Sequence, residues 1–461
     1  MQYVSTRGEA PELGFEDVLL TGLARDGGLY IPKAWPQISA DELRGLRGRS
    51  YQDVAFQIIS KFIGSSIPDV ELKQMIAEAY ATFGHPAVTP LKQLDANHWL
   101  LELFHGPTLA FKDVAMQLLA RLMDWSLKKR NSHATIVGAT SGDTGGAAID
   151  AFKNSKNATT IILHPHGRVS DVQRRQMTTV ESPAIHNIAI EGNFDHCQAI
   201  LKALFNDHVF RDRVGLAGVN SINWARIMAQ IVYYVSSAVA LGAPDRKVSF
   251  CVPTGNFGDI FAGFAAKRMG VPIDRLIIAT NVNDILDRTL KAGRYEMKGI
   301  TPSTSPSMDI QISSNFERLL YLAYGREAGA IRGLMSGLSQ SGAFTIGQEE
   351  LAAIREEFDS FAVDEAETAK TIAQTLKATG ELLDPHSAIG FAAALRARSS
   401  ASAMVTLATA HPAKFPDAVE KASGIRPHLP QRLSHLLNAK ERFTILPNSA
   451  TAVRDFVLAL K

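Results

Sequence analysis

The sequence is poor in cysteine, carries almost no net charge and lacks long hydrophobic runs. Its 461 residues include only two cysteines, and its net charge is +2. A large chain with so few cysteines does not depend on a disulfide framework. A charge this close to neutral gives no support for a nucleic-acid or acidic-membrane partner. We therefore expect no nucleic acid and no membrane among its partners.

The most membrane-like stretch, residues 227–243, contains polar side chains such as Gln230 and Ser236 and is short for a membrane span. We predict a buried helix there.

The first residues lack a basic-then-apolar signal pattern. Cys197 and Cys251 both lie in apolar patterns, as free thiols do in a reducing compartment. We therefore expect a cytoplasmic protein.

The pattern divides the chain into three regions. Residues 1–94 are predicted to form a helical N-terminal subdomain without chemistry of its own. Residues 95–430 are predicted to form an α/β catalytic region, and residues 431–461 a C-terminal segment that packs on it. In the first region, apolar periodicity predicts helices over 15–25, 50–63 and 68–83.

Strands and helices alternate through much of the second region. Short apolar runs predict strands over 134–137, 160–163, 188–190, 248–252, 276–280 and 404–408. Helical periodicity predicts helices over 144–152, 195–205, 222–241 and 260–269, and a largely helical stretch over 316–400. This alternation indicates an α/β fold with a mainly parallel sheet and helices on both faces. Ligands bind such sheets at the carboxyl ends of the strands.

One lysine stands where its chemistry should be unusual. Residues 104–113 read Phe-His-Gly-Pro-Thr-Leu-Ala-Phe-Lys-Asp, which places Lys112 at the start of an apolar helix. The partial positive charge of a helix N-terminus and burial both disfavour the ammonium form. A lysine in this position is a good amine nucleophile, as a Schiff-base lysine must be.

Two glycine-rich loops each follow a predicted strand and precede a predicted helix. Residues 253–259 read Pro-Thr-Gly-Asn-Phe-Gly-Asp, and such a loop turns backbone N–H groups toward one anion such as phosphate. Residues 139–146 read Ala-Thr-Ser-Gly-Asp-Thr-Gly-Gly, which supplies three hydroxyls and suits a carboxylate. Asp143 is out of place in an anion site, so we expect it to face a donor or to cap the helix.

Further candidates lie at other element ends. Thr409 ends an apolar strand, and Lys414 follows it as a candidate anion contact. Asn223 and Arg226 are one helical turn apart and could share a ligand, although capping plus a surface arginine explains them equally well.

Three features together match the needs of pyridoxal 5'-phosphate: a lysine suited to Schiff-base formation, a loop that binds phosphate and a loop that binds a carboxylate. We expect this cofactor and no metal.

These segments resemble the pyridoxal-lysine signature and site motifs of the threonine synthase family, in particular its longer bacterial and fungal class. The resemblance extends along nearly the whole chain and is carried by residues 102–113, 139–145, 220–223, 254–259, 308–310 and 409–415. It implies a fold type II pyridoxal-phosphate enzyme. Such an enzyme has two mainly parallel open sheets flanked by helices, with the active site between two subdomains and a helical N-terminal subdomain.

The resemblance also implies a reaction, the conversion of O-phospho-L-homoserine and water to L-threonine and phosphate. Lys112 would bind the cofactor aldehyde as a Schiff base and then act as the base at the α-carbon and the β-carbon. Phosphate would leave from the γ-carbon and water would add at the β-carbon. This is the last step of threonine biosynthesis.

The family motifs imply a role for each matching residue. The expected cofactor contacts, besides Lys112, are Thr254, Gly255, Asn256, Phe257 and Gly258 at the phosphate, Thr409 at the pyridine nitrogen and Asp143 at the ring hydroxyl. Asp143 stands where the wider family usually has Asn. The expected substrate contacts are Thr140, Ser141 and Thr144 at the carboxylate, and Asn220, Ser221, Asn223, Arg226 and Lys414 at the phosphate.

Other functions remain open at this point. A threonine dehydratase or a cysteine-synthase-like enzyme would share the lysine and the cofactor loop but would need no second phosphate site. A non-catalytic phosphate-binding domain would keep the fold without the lysine chemistry. By analogy with the longer class, we expect a monomer or a weak homodimer.

Overall fold

The computed structural model describes residues 1–397 and 402–460. Its N-terminal region combines helices with a small antiparallel sheet. The strands are β1 (Gln2–Ser5), β2 (Leu13–Gly14) and β3 (Tyr30–Pro32), and the helices are α1 (Phe15–Thr21), α2 (Ala40–Gly45), α3 (Tyr51–Ile63) and α4 (Asp69–Tyr80). The three predicted helices are present, although the first ends at Thr21 instead of residue 25 and the third ends at Tyr80 instead of residue 83. The sheet was not predicted, because strands of two to four residues are too short to show an alternating pattern.

A six-stranded sheet forms the centre of the larger α/β unit. In spatial order its strands are β14 (Phe358–Ala362), β11 (Ile273–Thr280), β10 (Val248–Pro253), β15 (Ala403–Ala408), β5 (His98–Glu102) and β4 (Leu91–Asp95). All neighbours are parallel except β4 and β5. A separate antiparallel pair consists of β12 (Arg294–Glu296) and β13 (Ala343–Thr345).

The second large sheet has five strands and is parallel throughout. In spatial order its strands are β16 (Thr444–Pro447), β8 (Ile185–Glu191), β7 (Ala158–Pro165), β6 (Ala134–Ala139) and β9 (Leu216–Ala217). Two mainly parallel open sheets flanked by helices confirm the predicted fold class.

Helices connect the strands and cover both sheets. They are α5 (Lys112–Lys129), α6 (Asp143–Phe152), α7 (Asp171–Thr178), α8 (Phe194–Asn206), α9 (His208–Val214), α10 (Trp224–Ala240), α11 (Gly258–Arg268), α12 (Ile285–Ala292), α13 (Phe316–Ala323), α14 (Ala328–Ser341), α15 (Gln348–Glu357), α16 (Glu365–Thr379), α17 (Pro385–Ala397), α18 (Pro416–Ser423) and α19 (Ala450–Ala459). Three short 3₁₀ helices span Pro306–Met308, Pro412–Lys414 and Gln431–Leu437.

The C-terminal segment does more than pack on the catalytic region. Its strand β16 extends the second sheet, with Thr444 opposite Ile188 of β8. Helix α19 then buries Val453 and Val457 in the core cluster that contains Ile188. The strand was not predicted, because its residues are largely exposed and it ends in a proline. The fifth strand of this sheet therefore comes from a part of the sequence without a strand signal.

The long apolar helix predicted over residues 222–241 is α10, and it is buried in the interior. Its Trp224 ring contacts Tyr3, Trp35 and Phe62, with ring centroids 5.9, 6.1 and 5.7 Å apart. Each such aromatic pair contributes about 0.5–1.5 kcal/mol beyond area burial. Trp224 thereby joins the N-terminal region to the catalytic region. Within the described residues, no helix has the length and apolarity that crossing a membrane requires.

Glu317 at the start of α13 provides a second link to the N-terminal region. Its carboxylate accepts a hydrogen bond from the Thr6 hydroxyl (2.6 Å) and two from the Arg7 guanidinium (3.1 and 3.0 Å). The carboxylate is 7% exposed, so water does not replace these contacts easily. Charge-assisted bonds of this bidentate kind are stronger than exposed ion pairs.

Replacing Glu317 with glutamine should lower the free energy of unfolding by about 1–3 kcal/mol, because Arg7 loses its charged partner in a buried place. Thermal unfolding of the full chain measures the effect. Glu9→Gln is the matched control, since Glu9 is 65% exposed and meets Arg332 at 3.4 Å. That change should cost no more than about 0.5 kcal/mol. Equal effects of the two substitutions would contradict a stabilising role for Glu317.

Candidate active site

Lys112 is the first residue of α5, and it lies beside the carboxyl end of the six-stranded sheet. The backbone just before it pairs with the backbone that follows β15. The Phe111 N–H donates to the Thr409 carbonyl (2.8 Å), and the His411 N–H donates to the Leu109 carbonyl (3.0 Å). This pairing brings Lys112 close to Thr409, at the edge of the sheet where ligands bind in this class of fold.

The Lys112 ammonium is surrounded by polar groups in a mostly buried position. Its Nζ lies 3.2 Å from the Ser307 Oγ and 3.5 Å from the Asp143 Oδ2. Burial lowers the pKa of Lys112, and the positive charges of Lys414 and Arg226 lower it further, while Asp143 acts in the opposite direction. The net result is a pKa below the ordinary lysine value, so the neutral amine is easier to reach.

Asp143 binds several donors at once. Its Oδ1 accepts hydrogen bonds from the Lys414 Nζ (2.8 Å) and the Gln173 Nε2 (2.9 Å), and its Oδ2 accepts one from the Ser307 hydroxyl (2.9 Å). Burial alone would raise the pKa of this carboxyl, but Lys414 and Lys112 outweigh burial and hold the pKa well below its usual range. Of the two expected roles, the structure shows the donor contact, since Asp143 makes no side-chain cap for α6.

Lys414 is completely buried, and its ammonium group is committed to protein oxygens. Besides Asp143, its Nζ donates to the Thr108 carbonyl (2.7 Å) and the Gln176 Oε1 (3.2 Å). An ammonium group has three N–H donors, and three acceptors surround this one. The expected contact between Lys414 and the substrate phosphate therefore has no donor left to make it in this structure. Lys414 balances the charge of Asp143 instead.

The loop of residues 139–146 opens α6 and is shaped by Thr140. The Thr140 Oγ1 accepts hydrogen bonds from the N–H groups of Gly142 (2.9 Å) and Gly145 (3.0 Å). Ser141 and Thr144 are only partly buried and lie at the N-terminal end of α6. Thr140 therefore holds the loop in shape, while Ser141 and Thr144 have hydroxyls to offer to an anion at the helix N-terminus.

The loop of residues 253–259 connects β10 to α11 and forms an anion cradle. Phe257 has a φ of 63°, in the left-handed region that side chains rarely adopt. Among the described residues, none accepts a hydrogen bond from the backbone N–H groups of residues 255–258. A Cβ on Gly255 would lie 2.8 Å from the Ser307 carbonyl oxygen, so the close approach requires glycine. Four unpaired N–H groups at a helix N-terminus fit a phosphate group.

Two buried threonines lie at strand ends beside this cradle. The Thr254 hydroxyl donates to the Val252 carbonyl (2.6 Å), which leaves its oxygen as an acceptor only. The Thr409 N–H donates to the Ser387 Oγ (3.1 Å). Within the part of the chain that the structure describes, the Thr409 hydroxyl has no hydrogen-bond partner. It is therefore available to a ligand atom such as a ring nitrogen.

Asn223 and Arg226 differ in what they can offer to a substrate. Asn223 caps α10, because its Oδ1 accepts from the Ala225 N–H (3.0 Å) and its Nδ2 donates to the Leu19 carbonyl (2.9 Å). Arg226 is 3% exposed, forms no ion pair with a described residue, and has an Nε without a partner there. Burial lowers the pKa of Arg226 to about 10. Asn223 is thus committed to the backbone, whereas Arg226 is a buried cation that lacks an anion.

Asn220 and Ser221 lie in the loop before α10, near the phosphate cradle. Asn220 is exposed, and Ser221 is partly buried. The Asn315 Nδ2 donates to the Ser221 carbonyl (3.2 Å) and to the Asn256 carbonyl (3.0 Å). Asn315 therefore joins the loop that carries the predicted substrate residues to the loop that forms the cradle.

Sequence reasoning missed several residues that contact this site. Ser307 was not among the predicted site residues, yet it contacts both Lys112 and Asp143. Behind it, the His386 Nε2 lies 3.3 Å from the Ser307 N–H, and the His386 Nδ1 lies 2.7 Å from the Asp384 Oδ2. The sequence offers one local signal for these residues. Residues 384–387 read Asp-Pro-His-Ser, and Asp before Pro is typical of the start of a helix, but this stretch was predicted only as part of a helical region.

Three family models match successive parts of the chain. The model described as "Threonine synthase N terminus" matches residues 2–80, and "Pyridoxal-phosphate dependent enzyme" matches residues 81–409. The model described as "Threonine synthase, C-terminal" matches residues 387–457. Together they span almost all of the sequence.

Curated relatives match over the same length. The threonine synthase of Pseudomonas aeruginosa is 54% identical over 459 residues, covering 99% of this chain and 98% of the relative. The threonine synthase of Saccharomyces cerevisiae is 42% identical over 486 residues, covering 96% of this chain and 95% of the relative. Both are therefore similar along their whole length.

Solved structures have the same architecture. A crystal structure of pyridoxal-phosphate-bound threonine synthase from Brucella melitensis is similar with a TM-score of 0.98 and 61% identity, covering 100% of this chain and 99% of that one. Yeast threonine synthase is similar with a TM-score of 0.94 and 39% identity, covering 100% and 98%. Maize serine racemase, at 16% identity and a TM-score of 0.51, shares the fold.

The charges around Lys112 predict opposite effects for two substitutions. Asp143→Asn should lower the pKa of Lys112 further, because it removes the anion that favours the ammonium form. Lys414→Met should raise that pKa, because it removes a nearby positive charge. The cofactor-free full chain is treated with an amine-reactive reagent at a series of pH values, and peptide mapping then gives the extent of modification at Lys112. The pH dependence of this modification measures both shifts.

Asp171→Asn is the control for this experiment, since Asp171 lies on α7 but is 82% exposed. It should leave the midpoint of Lys112 modification unchanged. Shifts of the same sign in Asp143→Asn and Lys414→Met would show that the three groups do not interact as the structure indicates.

Proposed function

The chain belongs to the threonine synthase family, and we propose that Lys112 carries the chemistry of the reaction in the site described above. The enzyme is a pyridoxal-phosphate-dependent lyase with threonine synthase activity, which converts O-phospho-L-homoserine and water to L-threonine and phosphate. The observation that supports Lys112 most directly is its position: a largely buried amine at the start of a helix, 3.5 Å from a carboxylate.

The residues present fit the cofactor. The unpaired N–H groups of residues 255–258 would hold its phosphate, the free hydroxyl of Thr409 would face its pyridine nitrogen, and Lys112 would bind its aldehyde. Asp143 lies close enough to Lys112 to face the ring hydroxyl on the same side. When bound, pyridoxal phosphate supplies an electron-poor ring that accepts negative charge from the carbon next to the substrate amino group.

Lys112 then has the task of moving protons at the α-carbon and the β-carbon of the substrate. Its lowered pKa makes the neutral amine, which can accept a proton, easier to reach than for an ordinary lysine. The Ser307 hydroxyl and the Asp143 carboxylate hold the Nζ between them. These contacts aim the amine, so that proton transfer needs no large movement of the side chain.

The substrate has two anionic ends, and the site has two regions to receive them. The hydroxyls of Ser141 and Thr144 at the start of α6 would bind the carboxylate. Arg226 would bind the phosphate together with Ser221 and Asn220, because a phosphate would neutralise a buried guanidinium that pairs with no carboxylate of the described residues. This second anion region favours threonine synthase over an enzyme of the dehydratase kind.

We also propose that the chain acts in a reducing compartment such as the cytoplasm, as a monomer or a weak homodimer. Cys197 and Cys251 are free and buried, which suits a protein that is not oxidised. Light scattering at micromolar and lower concentrations would test the assembly state, and a stable tetramer would contradict it.

Lys112→Ala should abolish the visible absorption band of the bound cofactor. It should also lower the rate of threonine formation by about 10²–10⁴-fold, because it removes the acid–base group. The assay follows threonine and phosphate release from O-phospho-L-homoserine in parallel. Lys128→Ala, an exposed position on the same helix, is the control and should behave as the parent protein. Release of 2-oxobutanoate from threonine without phosphate turnover would instead indicate a dehydratase.

Arg226→Gln should raise KM for O-phospho-L-homoserine about 10- to 100-fold, because a charge-assisted contact of about 1.5–3 kcal/mol is lost. The visible absorption band of the bound cofactor should remain. Arg213→Gln replaces an exposed arginine and should leave KM unchanged. Loss of cofactor affinity with an unchanged KM would move Arg226 from the substrate phosphate to the cofactor.

A further inference from the structure

Asp384 is a fully buried carboxylate just before α17, and no part of the proposed reaction uses it directly. Its oxygens accept hydrogen bonds from the backbone N–H groups of His386 and Ser387, both at 3.0 Å. They also accept from the Ser387 hydroxyl, and they face the His386 Nδ1 at 2.7 Å. The backbone contacts are those of a helix cap. The two side-chain contacts go beyond capping and lead toward the active site.

The first of these contacts leads to Lys112. A carboxylate can only accept, so the His386 Nδ1 facing Asp384 carries the hydrogen. The Nε2 of the neutral ring is then an acceptor, which is what the Ser307 N–H at 3.3 Å requires. The Ser307 Oγ in turn meets the Lys112 Nζ at 3.2 Å and the Asp143 Oδ2 at 2.9 Å. Asp384 therefore selects the tautomer of His386 that can hold Ser307 in place.

The second contact leads to Thr409. The Ser387 hydroxyl donates to Asp384, and its oxygen accepts from the Thr409 N–H at 3.1 Å. The Thr409 carbonyl accepts from the Phe111 N–H, directly before the lysine. One buried carboxylate thus lies behind both the serine that contacts Lys112 and the threonine proposed to meet the cofactor ring.

We propose that Asp384 is a positioning residue that aligns Lys112 and Thr409 for the cofactor, acting through His386 and Ser307 on one side and through Ser387 on the other. This inference rests on the proposed role of Lys112. It assigns to residues 384–387 a role that a helix cap alone would not have. The arrangement explains why a histidine and a carboxylate are both buried behind the lysine.

Asp384→Asn separates the two roles. Asparagine caps a helix about as well as aspartate does. Its single carbonyl oxygen cannot, however, accept on both sides, so its NH2 group must face either His386 or Ser387 and displace the donors that each of them directs at Asp384. This weakens either the link to Ser307 or the link to Thr409. We expect the cofactor-free full chain to regain its visible absorption band with added pyridoxal phosphate about 10- to 100-fold more slowly, by analogy with the loss of a partner that orients a metal-ligating histidine.

The matched control is Asp364→Asn, which changes the cap of α16 in the same chemical way. Asp364 accepts from the Glu367 N–H at 2.8 Å and lies on the surface. Asp384→Asn should lower the melting temperature more than Asp364→Asn does, because Asp384 is buried and makes more contacts, but only Asp384→Asn should slow cofactor uptake. Equal uptake rates in the two variants would overturn the proposal.

A second pair of variants at His386 keeps the test decisive if Asp384→Asn folds poorly. His386→Gln retains an acceptor that can reach the Ser307 N–H, whereas His386→Leu has none. The glutamine variant should keep most of the parent rate of cofactor uptake, and the leucine variant should lose it. If the two variants take up the cofactor at the same rate, the link through His386 is refuted. A normal rate for Lys112→Ala would instead refute the proposed role of Lys112 itself.

Discussion

The carboxylate of Asp143 serves two buried ammonium groups, those of Lys112 and Lys414, and the arrangement of the site depends on it. Buried charges are tolerated only when they are paired and hydrogen-bonded, and removing one partner of such a pair costs about 3–5 kcal/mol. One anion between two cations leaves the interior of the site positive. With Arg226 nearby, this surplus suits a site whose cofactor and substrate both carry phosphate. The electrostatics of the site and its ligands are therefore complementary.

The N-terminal region supports this site although it supplies none of its reacting groups. The Arg318 guanidinium is completely buried and donates to the Tyr30 carbonyl of β3 (3.0 Å), to the Ile222 carbonyl (2.6 Å) and to Asn315. Asn315 holds the backbone of the cradle at Asn256. The small antiparallel sheet is thus connected through two side chains to the loop proposed to bind the cofactor phosphate. The expected subdomain without chemistry is accordingly part of the scaffold.

Local patterns predicted some parts of this protein well and others not at all. The strands β6, β7, β10 and β15 were predicted from short apolar runs, and the buried helix α10 from a long segment that is mostly apolar. The short β1–β3 sheet and the edge strand β16 were missed, because two to four residues or an exposed strand leave no periodic signal. The expected role of Lys414 at the substrate phosphate failed to account for Asp143, a partner distant in sequence.

The sequence by itself indicated the candidate lysine and the two glycine loops, because each is a short segment at the start of a helix whose residues are adjacent along the chain. Its motifs also indicated the family. Only the tertiary structure decided which side chains meet around Lys112. Ser307 is 195 positions away from it, and His386 lies farther still. Their contacts form because α17 and the loop before α13 both pack at the carboxyl end of the six-stranded sheet. Such contacts leave no local pattern, because burial and hydrogen bonding between distant segments are set by the whole fold.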